Sequence, residues 1–107
     1  MFGLFTSKLK KIEEKLSFLA NEIASIQKNI ILYPRENTYK NLHVTKTKEL
    51  NDLYNELETI KGEEYVDHFI KKLTGNYLAS ENALSNQEEK LLDKILIEYK
   101  VKSKIKV

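Results

Sequence analysis

Cysteine is absent from this sequence, which removes disulfide staples, a catalytic thiol and every zinc site built on thiolates. Three glycines and one proline in 107 residues leave too little punctuation for the many tight turns of a β-sandwich or barrel, so composition favours helices. Long apolar runs are missing too. The longest, Ile30 to Tyr33, falls far short of the roughly 20 residues of a membrane span, so no transmembrane segment is expected. A secretory leader places positive charge ahead of an apolar block, whereas here Met1 to Phe5 precedes Thr6, Ser7 and then lysines. Phe2 holds the place where N-myristoylation requires glycine. A cytoplasmic protein is therefore the expectation. No catalytic motif, metal signature or phosphate loop occurs either, so neither an enzyme nor a cofactor is expected.

What the chain does contain is a stripe. Apolar residues fall at Phe2, Phe5, Leu9, Ile12, Leu16, Leu19, Ile23, Ile26 and Ile30, and their separations alternate three and four throughout. That alternation keeps one side of a helix pointed at a partner. Leu and Ile are mixed at both alternating positions, so the stripe does not select a two-stranded parallel coil, which prefers β-branched residues at one position and Leu at the other. Leu4, Phe18, Ala20, Ala24, Ile31 and Leu32 widen the apolar face beyond a narrow seam, as befits a helix packed against several neighbours. Two readings follow: the stripe is the core of a bundle, or it is a surface that binds another protein or a second copy, with Phe2, Phe5, Leu9, Ile12, Leu16, Leu19, Ile23 and Ile26 as partner-binding residues.

Apolar residues are 41% and charged residues 32% of the chain, which suits one soluble helical domain over residues 1–107. The spacing predicts a first helix over about 7–32, ended by Pro34, whose ring disfavours helix at Tyr33. A linker over 34–45 follows, then a second helix over about 48–61 capped by Thr45 or Thr47, with Leu50, Leu53, Leu57 and Ile60 as its buried row. Gly62 is the expected stop, because glycine reaches positive φ without steric cost. A third helix is expected over about 63–74, burying Val66, Phe69, Ile70 and Leu73, with Gly75 as its end or a kink. Ser85 and Glu88 form a capping-box pattern that opens a fourth helix over about 86–100. Residues 101–107 are expected to be a basic tail. The fold class is all-α: a small antiparallel bundle of three to four helices around the long heptad-patterned first one.

Charge is uneven within a net of +2. Seven acids lie between Glu49 and Asp67 against Lys61 alone, whereas Tyr99 to Val107 carries Lys100, Lys102, Lys104 and Lys106 and no acid. Those four lysines are candidate anion-binding residues, for nucleic-acid phosphates or an anionic membrane surface; four terminal lysines also keep an apolar end soluble. Glu64, Asp67 and His68 share a helix face and are the best metal candidate, but acids near a helix start need no metal to explain them. Met1 to Phe5 ahead of Lys8, Lys10 and Lys11 is a pattern for peripheral membrane contact, though packing explains the same aromatics. The six tyrosines fit a binding face or the rim of a core.

The run Tyr65-Val66-Asp67-His68-Phe69, then Leu73, then Leu84-Ser85 followed by Glu88, Leu91, Leu92 and Ile95, resembles the second half of the small bacteriocin immunity proteins, which are four-helix cytosolic bundles. The resemblance covers about 30 residues and implies action at a bacteriocin's membrane receptor; the long first helix departs from that family. The sequence thus points first to a non-enzymatic protein–protein interaction module such as an adaptor, inhibitor or assembly factor of bacterial or phage type. An immunity-like protein and a small nucleic-acid-binding protein using the lysine tail are the alternatives.

Overall fold

The computed structural model describes the backbone from residue 2 to 105 and the side chains from 7 to 100. It is all-α: α1 (Phe2–Leu32), α2 (Asn37–Lys61), α3 (Glu63–Leu78) and α4 (Asn86–Ile105). α1 spans 31 residues, on the order of 46 Å of rod at 1.5 Å per residue, and the other three helices pack along it.

α1 ends where the proline requires. Tyr33 N–H still reaches the Asn29 carbonyl at 2.8 Å, and Glu36 N–H then closes a four-residue turn on the Tyr33 carbonyl at 3.0 Å, with Pro34 at the turn position its fixed φ suits. This turn replaces the expected 34–45 linker, because α2 begins at Asn37 rather than near Lys48. Thr45 and Thr47 are accordingly interior residues of α2 and cap nothing. The inward row of α2 runs Lys40, His43, Thr47, Leu50, Tyr54, Leu57, and its steps continue the three-four alternation. Its first three members are polar, so a search for apolar period starts the helix about eleven residues late.

Gly62 alone joins α2 to α3. It has φ 90° and ψ 167°, an extended positive-φ conformation open to glycine, and its N–H bonds the Glu58 carbonyl at 2.8 Å. α3 passes through Gly75 to Leu78 instead of stopping near 74; the Gly75 carbonyl accepts the Ala79 N–H at 3.1 Å, so the last turn closes without glycine's special freedom. The loop after it is held by Leu84 N–H on the Tyr77 hydroxyl at 3.0 Å and by the Lys28 ammonium on the Glu81 carbonyl at 2.9 Å. The capping box forms as the sequence specifies: Ser85 N–H donates to Glu88 Oε1 at 3.1 Å, and Glu88 N–H to Ser85 Oγ at 3.2 Å. Those bonds, first the one from the backbone amide, hold the Glu88 carboxyl below its ordinary value. α4 continues to Ile105 where a tail was expected. Positions four apart share a helix face, so helical continuation puts positions 100 and 104 on one side and 102 on another.

Burial divides the core in two. At one end Ile12 and Leu16 of α1 pack with Leu57 of α2 and Val66 and Phe69 of α3; at the other, Ile26 and Ile30 of α1 pack with Leu84 and with Leu92 and Ile95 of α4. Leu16, Ile30 and Leu57 retain no exposed surface, and each such burial contributes roughly 1.5–3 kcal/mol before entropy is set against it. Among the described residues α1 contributes buried side chains to both clusters, and α2 reaches the second through the half-buried Tyr39.

Candidate functional site

The stripe of α1 lies inside the chain. Ile12, Leu16, Leu19, Ile23 and Ile26 are buried and Leu9 is half-buried, packed against this protein's own α2, α3 and α4; the side chains of Phe2 and Phe5 lie outside the described residues. Of the lysines taken as anion-binding, Lys100 is exposed, whereas the side chains of Lys102, Lys104 and Lys106 are not described. Glu64, Asp67 and His68 are all exposed on α3, and among the described residues no group of three or more metal-ligating side chains converges. Five tyrosines are half-buried, while Tyr33 is exposed and stacks on Tyr39 at 6.0 Å. They rim the core. No helix among the described residues is long and apolar enough to cross a membrane.

A groove of about 530 Å³ opens on the surface between the two core clusters. Its floor is the middle of α1, at Ala20, Ile23, Ala24 and Gln27; one wall is α3, at Ile70, Leu73, Thr74 and Tyr77, backed by Leu50 and Tyr54 of α2; the other is Leu84 with Glu89, Leu92 and Asp93 of α4. The groove exists because of how the connections aim the helices. Gly62 folds α3 back toward the first half of α1, whereas the 79–85 loop carries α4 to its second half. The two alanines on the floor are too small to fill the space between.

The lining is apolar at depth and polar at the lip. Burial raises the Tyr54 hydroxyl pKa above its ordinary value, and the Tyr77 hydroxyl accepts the Leu84 N–H. Glu89 and Asp93 are both exposed on the α4 lip, and among the described residues no cation is within ion-pair distance of either. The arrangement can hold an apolar group.

A second polar set lies between α1, α2 and α4. Gln27 Nε2 donates to His43 Nε2 at 3.3 Å. Lys40 is buried except for 8%, its ammonium on Asn37 Oδ1 at 3.3 Å and over the Tyr99 ring at 5.5 Å, while the Tyr99 hydroxyl donates to Asn41 Oδ1. Burial first, and then the Lys100 ammonium, lower the His43 pKa from its ordinary 6.5. These contacts fasten α4 to α2 without a carboxylate.

Sequence reading missed the groove because its walls come from three helices and a loop. Ala20 and Ala24, small residues on an inward face, are the signal that marks it. No family model matches the chain, and no curated protein or solved structure is significantly similar to it. The resemblance of residues 65–95 to bacteriocin immunity proteins therefore rests on the quoted residues alone.

Proposed function

We propose that this chain is a non-enzymatic protein-interaction module, working in the cytoplasm, that takes a segment of another protein into the groove between α3 and α4. The observation that carries the reading is the groove itself: an apolar floor on the central helix, open between two walls that do not close on each other. A second quantity supports it. The chain exposes 8144 Å², whereas a folded monomer of this mass exposes about 6,200 Å². The surplus, about 1,900 Å², is more than the roughly 800 Å² per partner that a standard interface covers. From Ile12 to Ile30 the α1 stripe is already buried, and although Phe18, Leu32, Leu78 and Ile97 are exposed singly elsewhere, the groove is where apolar surface is concave, with Ile70 at 38% exposure on its wall.

Site-specific photocrosslinking tests this. A benzophenone side chain at Thr74, on the α3 wall, is expected to give discrete adducts with a second protein in cells, and the same group at Glu14, outside the groove, is not. The adducts should disappear in an Ile70→Glu variant whose circular dichroism is unchanged. Equal adducts from both positions, or none from Thr74, would overturn the proposal.

A further inference from the structure

We infer that the occupant of the groove is an amphipathic helix of another protein whose apolar face is flanked by lysine or arginine; this rests on the groove being a docking site and adds the chemistry of what docks. Three features of the site point to it. First, the floor is a helix surface with Ala20 and Ala24 one turn apart, and small residues at that spacing let a second backbone approach closely while larger residues beside them grip its side chains. Second, a volume of about 530 Å³ open along its lip suits a row of side chains projecting from a helix better than an enclosed small molecule.

Third, the charged residues that line the groove, Glu89 and Asp93, are both acidic. They stand four apart on α4, an arrangement of like charges that costs an isolated helix a few tenths of a kcal/mol, and no cation among the described residues lies within ion-pair distance. A bound lysine or arginine relieves that repulsion. An acidic partner would add to it.

The test uses two labelled synthetic 16-residue peptides with leucines at i, i+3, i+4 and i+7, one flanked by lysines and one by glutamates, titrated against the full chain by fluorescence anisotropy. The lysine peptide is expected to bind about tenfold more tightly at low salt, since each exposed ion pair contributes modestly, and the preference should shrink as salt rises. Glu89→Lys combined with Asp93→Lys should reverse the order of the two peptides. Equal binding of both that Ile70→Glu abolishes would overturn the basic occupant while leaving the docking groove standing. No binding of the lysine peptide would also overturn it. A concentration-dependent doubling of mass, abolished by Asp93→Lys, would place a second copy of this chain in the groove and overturn the foreign partner.

Discussion

Thr47 sits inside α2 with its hydroxyl oxygen buried and without a hydrogen-bond partner, whereas Thr45, Thr59 and Thr74 each donate to the carbonyl four residues back. A buried hydroxyl without a partner costs about 1–3 kcal/mol, and valine has nearly the same shape. Thr47→Val is therefore expected to raise the urea midpoint by an amount equivalent to about 1 kcal/mol, and an unchanged or lower midpoint would show the hydroxyl is satisfied. His43 gives the opposite kind of site, a polar group kept in its neutral form. Its Nε2 accepts from Gln27 and its pKa is lowered by burial and by Lys100. The unfolded chain thus binds the proton more readily than the folded one, so stability falls as pH drops through about 6.5, where the unfolded imidazole titrates. The thermal midpoint should decline between pH 7 and 5, and His43→Gln should flatten that decline. A slope unaltered by the substitution would assign it to other groups.

At the scale of the helices, the boundaries legible in the sequence are those a backbone constraint sets. Pro34 ends α1, Gly62 separates α2 from α3, and the Ser85–Glu88 pair opens α4, each as its chemistry dictates. The start of α2 was not legible, because Lys40, His43 and Thr47 hold the inward positions and only the structure shows Tyr99 and Gln27 receiving two of them. The groove was not legible for a related reason: it is defined by which helices fail to meet, and periodicity within one helix carries no such information. Gly62 and Gly75 separate cause from composition. Gly62 has φ 90°, and a side chain there is strained even though no atom lies within 4 Å of its Cβ position; Gly75 is helical, with the same open space around it. Gly75→Ala is expected to stabilise by roughly 0.5–1 kcal/mol, and Gly62→Ala to destabilise by about 1–3 kcal/mol. Chemical denaturation of both variants checks the pair, and the same sign for both would show that backbone conformation is not what distinguishes them.

For the molecule as a whole, the consequence is an uneven distribution of stability. The protein measures 50 × 35 × 21 Å with a radius of gyration of 15.9 Å, against about 13 Å for a compact domain of this length. The excess follows from two clusters strung along one helix instead of a single centre. α1 and α2 run side by side over both clusters, and α3 closes the first of them through Val66 and Phe69. Among the described residues α4 is held at the second, by Leu92, Ile95 and the Tyr99–Asn41–Lys40 set, with the groove in place of a packed neighbour on its other flank. Cooperative units with fewer buried contacts open at lower free energy than the whole. Native-state hydrogen exchange should therefore find the amides of α4 opening as a unit before those of α1 between Ile12 and Ile30. Leu92→Ala should accelerate exchange in α4 far more than around Leu57, while Leu16→Ala, at the opposite cluster, should cost about 2–5 kcal/mol of global stability. Occupation of the groove adds the missing neighbour to α4, so a bound partner helix should slow exchange there first; uniform protection across all four helices would mean that the two clusters fold as one.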